Sequence, residues 1–495
     1  MLKKYRLEIT VFLCGAALMA LELLGSRLVA PYLGSTIYTW ASLIGVILGA
    51  MSVGYWWGGK VADRGTNEAF LAQIIFLSGI WSALIVIVNF ILYYLLAGAP
   101  LGIRLSSILA SIFLFAIPAV LLGMVSPYAA RLKLDSLTNS GRTVGNLYAI
   151  STLGSIAGTF AAGFFLVLYF RLNTILLSIA VLLALTAFLL SRRIPRGLIW
   201  IGIFLFAASI LVSINFERLE KKMGIMAQGT LYDEVRILTM LNPAGRPVRF
   251  FQADPFSVQS GRYLDSEELL FEYTKYYHLL ELWTPETRHS LMIGGAGYSF
   301  PQAYLRSYPK ATIDVVEIDP GVTALAKRWF GLTADPRLKI IHEDGRRFLN
   351  STTDSYDTIM IDAFRSVFAP IQLTTREAVA AMRSRLTDNG LVITNIIASW
   401  RGPKSRFFQA ELATYREIFP SVYAIPTSPN APDDSVQNIT LLAFKKPTTL
   451  PTNPSERFAT MLAYATSTYE LDSQTVPFTD QYAPVELFTA RAIQQ

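Results

Sequence analysis

The 495-residue chain contains 52% hydrophobic residues and only 16% charged residues, and its formal net charge is +7. Soluble globular proteins carry about 25% charged residues, so the composition excludes a disordered chain, a fibrous chain and a wholly soluble globular protein. Apolar runs end near Ile214, and charged residues return from Phe216 onward. We therefore predict a helical transmembrane domain at 1–215, followed by a soluble part.

Seven apolar runs in the first part are close to the length of about 20 residues that crosses a bilayer as a helix. They lie at 8–33, 37–58, 69–96, 104–125, 143–170, 172–190 and 197–214. The first run contains Glu22 and Arg27. Charges within a membrane are costly and often functional, so these side chains either line a cavity or, equally, pair with a neighbouring helix and reach the interface.

Basic residues next to the runs indicate the orientation of the helices. Eleven lie on one side: Lys3, Lys4, Arg6, Lys60, Arg64, Arg131, Lys133, Arg142, Arg192, Arg193 and Arg196. Five lie on the other: Arg104, Arg171, Arg218, Lys221 and Lys222. The more basic side usually faces the cytoplasm, which places the N-terminus inside and, with seven spans, the second part outside.

The second part begins with a small β region, at 223–280, and continues as an α/β domain at 281–495. Apolar segments predict strands at 290–293, 312–317, 338–341, 356–361 and 390–395, with helices from Ser299 and over 321–330 between them. Strands that alternate with helices form a parallel, doubly wound sheet. The segment 396–440 is predicted to form loops and a late hairpin.

Polar groups fall where these strands end, and ligands of such sheets bind at that edge. The groups are Gly294, Gly295, Gly297, Glu317, Asp344 and Asp362. Glycines let the backbone approach a ligand, and Glu317 suits a ribose diol, although a nicotinamide cofactor makes the same demand. Asp344, with Gly345 beside it, suits an adenine amino group. Three successive strands that each end in an acid predict a nucleoside site.

Metal and nucleic-acid sites are not predicted. The chain has one cysteine, Cys14, and three scattered histidines, which are too few for a convincing zinc site. The soluble part has no clustered basic face of the kind that binds nucleic acid. We expect no metal and no prosthetic group.

Residues 228–400 resemble the spermidine synthase (aminopropyltransferase) family, a branch of the methyltransferase-like Rossmann fold. The resemblance rests on 259–260, 276–278, 292–297, 315–320, 343–346 and 361–362. The helical first part and the segment 479–486 resemble the membrane-fused members of that family. The fold implied is a multi-pass α-helical membrane domain followed by an α/β methyltransferase-like Rossmann domain with a small N-terminal β region.

The resemblance also implies roles for single residues. Glu317 would hold the ribose of a sulfonium nucleoside, Asp344 its adenine, and Asp362 would be the catalytic acid or base next to Tyr277. Further binding positions would be Gln259, His278, Gly294, Gly295, Gly297, Gly345 and Arg365. In the family's reaction an amine attacks the methylene beside the sulfonium, and methylthioadenosine leaves.

Four positions depart from the family pattern, and one of them is Asp233, which follows Tyr232 where the family has a glutamine. Gly297 stands where the family has an aspartate, Leu279 follows the histidine in place of a glutamate, and Arg365 replaces a second acid. A diammonium substrate near Arg365 would meet a like charge, whereas a guanidinium suits a carboxylate. The family's usual diamine is therefore in doubt.

Three functions remain open. The first is an enzyme that binds S-adenosylmethionine, or its decarboxylated form, and releases methylthioadenosine by transfer to an amine or by intramolecular cleavage. The second is a methyltransferase with a membrane-resident acceptor, and the third is a transporter or sensor with a nucleoside-binding domain. We expect an integral membrane protein, in contact with the lipid bilayer, whose soluble part faces the cytosol because of its nucleotide-like substrate. A homodimer stays open.

Overall fold

The structure, a computed structural model, describes residues 2–34, 36–96, 101–134, 140–232, 234–253, 258–364 and 369–493. The chain divides into two compact units, Met1–Met223 and Gly224–Gln495. The first is helical, and the second contains two β-sheets with their covering helices.

Seven helices of the first unit are long and apolar enough to cross a membrane, judged by length and composition. They are α1 (Tyr5–Leu33), α2 (Ile37–Asp63), α3 (Glu68–Leu96), α4 (Gly102–Lys133), α5 (Ser140–Tyr169), α6 (Leu172–Leu190) and α7 (Arg196–Lys222). Glu22 lies within α1, where its Oε2 is buried without a hydrogen-bond partner among the described residues.

Small residues bring α1 and α5 together. A Cβ atom on Gly154 would lie 2.0 Å from the carbonyl oxygen of Phe12, and one on Gly158 would lie 2.1 Å from that of Ala16. Only glycine permits this approach, which is how helices commonly associate inside membranes.

The second unit begins with a four-stranded antiparallel sheet in sequential order. Its strands are β1 (Ile225–Gly229), β2 (Glu234–Leu241), β3 (Pro247–Gln252) and β4 (Ser260–Tyr263). A short helix, α8 (Glu272–Lys275), and a 3₁₀ helix (Tyr276–Leu282) connect this sheet to the larger one.

The larger sheet has seven strands in the order β10-β11-β9-β8-β5-β6-β7. They are β5 (His289–Ile293), β6 (Thr312–Val316), β7 (Leu338–Ile341), β8 (Tyr356–Ile361), β9 (Leu386–Ser399), β10 (Ser421–Pro426) and β11 (Val436–Phe444). The first five are mutually parallel, whereas β10 and β11 add an antiparallel edge beside β9. The predicted parallel, doubly wound sheet is confirmed for β5 to β9, and the late hairpin extends the same sheet, which makes it mixed.

Within the described residues, eight α-helices accompany this sheet: α9 (Ser299–Ser307), α10 (Pro320–Trp329), α11 (Gly345–Ser351), α12 (Ile371–Thr374), α13 (Arg376–Ser384), α14 (Arg406–Ile418), α15 (Glu456–Leu462) and α16 (Val485–Ile493). The segment 396–440 was expected to hold loops and a hairpin. It contains the hairpin, but also the end of β9 and the 13-residue helix α14, whose apolar side packs against that strand.

Two apolar cores cover the two faces of the larger sheet. Along β9, Leu391 and Ile393 belong to one core, and Val392 and Ile396 belong to the other. This alternation follows from the two-residue period of a strand. The strand order reverses between β5 and β8, and ligands of such sheets bind in a crevice at the carboxyl ends of the strands on either side of that point.

Candidate active site

The glycine turn after β5 lies at this crevice. Gly294 has a φ of +100°, and a Cβ there would lie 2.2 Å from the carbonyl oxygen of Asp362. The backbone amide of Asp362 in turn donates to Ile293 O at 2.9 Å. The turn after β5 and the acid after β8 are therefore in direct backbone contact, which only a glycine at position 294 allows.

Glu317, just after β6, closes the same turn from the other side. Its Oε2 accepts the backbone amides of Gly295 and Ala296 at 2.9 and 3.2 Å, and its Oε1 accepts that of Asp319 at 3.0 Å. Burial raises the pKa of Glu317, and the three amide hydrogen bonds act in the opposite direction. Each carboxylate oxygen can accept two hydrogen bonds, so Oε2 is fully used and Oε1 can accept one further hydrogen bond, for example from a hydroxyl group.

Asp344 begins the helix that follows β7. Its Oδ1 accepts the backbone amide of Arg347 at 3.0 Å, as an N-cap residue does, and its Oδ2 accepts Gln372 Nε2 at 3.3 Å. A Cβ on Gly345 would lie 2.6 Å from Ile293 Cγ2 at the end of β5. Glycine there brings the start of α11 close to the central strand.

Asp362 follows β8 and is partly buried. Its Oδ2 accepts the hydroxyl of Tyr273 at 3.2 Å, and its Oδ1 accepts Asn395 Nδ2 at 3.3 Å. Burial raises the pKa of Asp362 to about 6, while Asn395, Tyr277 and Tyr273 lower it. A carboxyl group with this pKa can take up and release a proton near neutral pH.

A buried polar atom beside Asp362, Oδ1 of Asn395, is unpartnered within the described parts of the chain. Buried polar atoms normally have hydrogen-bond partners, and exceptions occur at binding sites. This atom is therefore available to a ligand. The hydroxyl of Tyr277 lies beside the Asp362 carboxylate and stabilises its charged form.

Tyr273 and Asn395 were missed by the sequence analysis. Tyr273 lies within an aromatic run that also suits a hydrophobic core. Asn395 offered a clearer signal, because it interrupts the apolar strand β9, and its neighbour Thr394 pairs with Ile361, directly before Asp362. A polar residue just past the point where a buried strand ends its parallel pairing is a candidate site residue.

His278 lies away from these strand ends. Its Nδ1 is 3.4 Å from the hydroxyl of Tyr308 and 3.6 Å from Glu281 Oε1. Burial, and secondarily the charge of Arg457, lower the pKa of His278 to about 4. Although Tyr277 and His278 are adjacent in sequence, successive residues of a 3₁₀ helix point about 120° apart, and only Tyr277 faces Asp362.

The remaining positions indicated by the resemblance are Gln259, Gly297 and Arg365, and the structure describes the first two. Oε1 of Gln259 accepts the backbone amide of Ala253 at 2.6 Å. A Cβ on Gly297 would lie 2.6 Å from Ser260 Oγ and 2.9 Å from Phe330 Cδ1, so no side chain fits there without displacement of these neighbours. Arg365 lies outside the described residues.

No group of three or more histidine, cysteine, aspartate or glutamate side chains in the described ranges is arranged to hold a metal ion. The acids at the three strand ends are instead bonded to backbone amides, an amide side chain and tyrosine hydroxyls. Such donors suit recognition of an organic molecule.

The strand order, the glycine turn and the acids at the strand ends define a methyltransferase-like Rossmann fold. The model of the "Spermine/spermidine synthase domain" family matches residues 271–437. The C-terminal unit thus contains a region similar to this domain, and the proteins that the chain is similar to include polyamine aminopropyltransferases.

Three comparisons show the extent of the likeness. A polyamine aminopropyltransferase of Vibrio vulnificus is 27% identical over 46% of this chain and 80% of its own length. Polyamine aminopropyltransferase 2 of Ralstonia nicotianae is 23% identical over 81% of this chain and 80% of its own length, so that match extends into the helical unit. The crystal structure of a probable spermidine synthase from Corynebacterium glutamicum covers 52% of this chain and 97% of its own length, with 22% identity and a TM-score of 0.45.

Proposed function

We propose that the C-terminal unit transfers an aminopropyl group from decarboxylated S-adenosylmethionine to an amine and releases methylthioadenosine. The observation that carries this proposal is the setting of Asp362, a carboxylate with a raised pKa held by Tyr273 and Asn395 against the glycine turn. The homologous polyamine aminopropyltransferases support the same reaction class.

In the proposed reaction, the amine nitrogen attacks the methylene carbon next to the sulfonium. The new nitrogen–carbon bond forms as the sulfur–carbon bond breaks, and both electrons of the broken bond remain on sulfur, which becomes the neutral thioether of methylthioadenosine. Asp362 accepts the proton that the amine loses. Burial and the charge of Asp362 raise the pKa of Tyr273 far above its usual value, so its hydroxyl stays protonated and donates to the carboxylate.

Binding in this proposal follows the strand ends. Glu317 accepts one ribose hydroxyl at Oε1, and Asp344 accepts the amino group of adenine. Gly294 and Gly295 admit the nucleoside close to the backbone, and the positive sulfur is placed near Asp362. Alignment of nucleophile, carbon and leaving group accounts for much of the rate in such displacements.

The side chains around the proposed amine position indicate which kind of amine fits there. Position 297 has no room for the aspartate that the family carries, and Leu279 is completely buried in the apolar core. Two polar acceptors lie beside the proposed reacting centre among the described residues: the carboxylate of Asp362 and Oδ1 of Asn395. Together they can accept the two N–H groups of one neutral primary amine and leave its lone pair free for the attack, which favours a primary amine as the acceptor.

Product analysis tests the proposal. The purified full chain is incubated with decarboxylated S-adenosylmethionine and a panel of monoamines and diamines, and in parallel with S-adenosylmethionine alone. Methylthioadenosine together with an aminopropylated amine is the expected outcome. Methylthioadenosine from S-adenosylmethionine without an amine would indicate intramolecular cleavage, and S-adenosylhomocysteine would indicate a methyltransferase; either result contradicts aminopropyl transfer.

We further propose that the helical unit spans the membrane and that the C-terminal unit faces the cytosol. The seven long apolar helices support the first statement. The second rests on the substrate, because a permanently charged nucleoside does not cross a bilayer unaided. This orientation places the more basic set of flanking residues outside, against the usual charge rule, so the two criteria make opposite predictions.

A further inference from the structure

A segment near the C-terminus contacts the part of the sheet edge that holds Asp344. Arg346 donates to both carboxylate oxygens of Asp480, from Nη2 to Oδ2 at 2.8 Å and from Nη1 to Oδ1 at 3.3 Å. Thr375 Oγ1 donates to Asp480 Oδ1 at 2.6 Å. The side chain of Arg346 is only 16% exposed, so this bidentate pair is partly shielded from water.

The same guanidinium is linked to Asp344 through one residue. Nη1 of Arg346 donates to the backbone carbonyl of Gln372 at 3.1 Å, and the side-chain amide of Gln372 donates to Asp344 Oδ2 at 3.3 Å. The continuous chain of contacts is therefore Asp480, Arg346, Gln372 and Asp344. It holds Oδ2 of Asp344, the oxygen that does not cap the helix.

The backbone of the segment is anchored independently of the Asp480 carboxylate. The carbonyl of Phe478 accepts the backbone amide of Arg376 at 2.8 Å, and the amide of Phe478 donates to Thr414 Oγ1 at 2.9 Å. The backbone amide of Asp480 donates to Glu377 Oε2 at 2.9 Å. Loss of the Asp480 carboxylate would thus leave the segment in place and remove mainly its hold on Arg346.

We propose that Asp480 is a positioning residue for recognition of the adenine base. It fixes Arg346, which holds Gln372, and Gln372 orients the carboxylate of Asp344 toward the amino group of the base. This inference rests on the proposed function, because it assigns adenine to Asp344. Through Asp480, the segment 479–486 thereby contributes to selection of the substrate.

Calorimetry with two nucleosides tests this role. The full chain is titrated with methylthioadenosine and with methylthioinosine, whose base carries an oxygen in place of the amino group. Wild type should prefer methylthioadenosine. Asp480→Ala should bind methylthioadenosine about 5- to 30-fold more weakly, as expected for the loss of a charged hydrogen bond, with little change for methylthioinosine. In turnover, KM should rise while kcat changes less than about twofold.

Asp472→Asn is the matched control. Asp472 lies in the same C-terminal segment, but its carboxylate accepts Gln409 Nε2 of helix α14 at 3.1 Å. The preference for methylthioadenosine over methylthioinosine should therefore be unchanged in this variant. Asp480→Asn retains the shape of the side chain and should lose part of the preference. In a Gln372→Ala background, Asp480→Ala should have no further effect on the preference, because the link is already broken.

The outcomes are distinguishable. An unchanged ratio of the two affinities in both Asp480 variants would overturn the positioning role, as would equal weakening for both nucleosides. If Asp480→Ala does not fold, Asp480→Asn and Gln372→Ala carry the test. If wild type binds neither nucleoside, the proposed function itself fails, and the inference falls with it.

Discussion

Among individual side chains, Asp362 differs from the other acids of the site in the nature of its partners. Glu317 is held by backbone amides and Asp344 by one backbone amide and the side chain of Gln372, whereas Asp362 is held by two side chains, Tyr273 and Asn395. Backbone amides stabilise the charged form of a carboxylate in a fixed position, which suits binding. Burial raises the pKa of Asp362 to about 6 despite its side-chain donors, which suits proton transfer near neutral pH.

Substitution of Asp362 by asparagine should separate catalysis from binding. The amide cannot accept the proton of the attacking amine, so we expect kcat to fall by about 10²- to 10⁴-fold, while the affinity for methylthioadenosine changes little. Rapid-quench product analysis and calorimetry measure the two quantities. The matched control is Asp357→Asn, which alters a carboxylate bonded to the backbone amides of Arg288 and His289, and it should retain turnover. Full turnover in Asp362→Asn would remove this residue from the mechanism.

The pH dependence of the rate should report the same group. The pKa of Asp362 is raised to about 6, and only its ionised form accepts a proton, so kcat/KM should rise with pH through about 6 and fall below it. Asn395→Leu removes a donor that stabilises the charged form. The pKa of Asp362 should therefore increase, and the acidic limb of the profile should move to higher pH.

His278 provides the control for this assignment. Its pKa is lowered to about 4, so it stays neutral across the range in which Asp362 titrates. His278→Gln should leave the limb near pH 6 in place, and a limb that disappears in this variant would assign it to the histidine instead.

At the level of secondary structure, the glycine turn after β5 contacts the loop that follows β8, the neighbouring central strand. An alanine at position 294 would have to adopt a φ of +100° and place its Cβ 2.2 Å from Asp362 O. Either the turn or the loop after β8 must then shift, and the alignment of the reacting atoms would be lost.

We expect Gly294→Ala to reduce turnover by at least about 100-fold and to lower the free energy of unfolding by about 2–4 kcal/mol. Turnover assays and denaturant titration of the purified protein measure both effects. Gly229→Ala is the control, since Gly229 ends β1 and a Cβ added there would meet no described atom within 4 Å, so the methyl group should be tolerated. Near-normal activity of Gly294→Ala would show that the close contact with Asp362 is not required.

For the complete chain, orientation in the membrane is the main prediction. Cys14 is buried and is the one cysteine of the sequence, so single cysteines can be introduced and labelled selectively. Asn453→Cys lies on the exposed surface of the C-terminal unit, and Thr66→Cys lies between α2 and α3. With seven crossings, the two positions lie on opposite sides of the membrane.

If the C-terminal unit is cytosolic, an impermeant maleimide should label Thr66→Cys in intact cells and Asn453→Cys only after permeabilisation. The reverse pattern would place the enzyme unit outside and support the charge rule. Labelling of both positions from the same side would show that at least one of the seven helices does not cross the bilayer.

Much of the architecture can be derived from local patterns in the sequence. Seven apolar runs correspond to seven long helices, and the predicted strands at 338–341 and 356–361 coincide with β7 and β8. These features depend on burial and backbone preferences over short distances, which composition and periodicity express directly. Helix α14 was not predicted, because its residues carry both apolar and polar groups within a segment rich in serine and proline, and its helical pattern becomes clear only beside β9 and β11.

The contacts that define the site's chemistry arise from packing between distant segments. Tyr273 reaches Asp362 across 89 residues, and Arg346 reaches Asp480 across 134. The sequence was sufficient to propose Glu317, Asp344 and Asp362, because parallel strands bring their carboxyl ends to one edge. The partners of those acids, and with them their pKa values and orientations, depend on where other elements dock, since hydrogen bonds and burial between segments have no period along the chain.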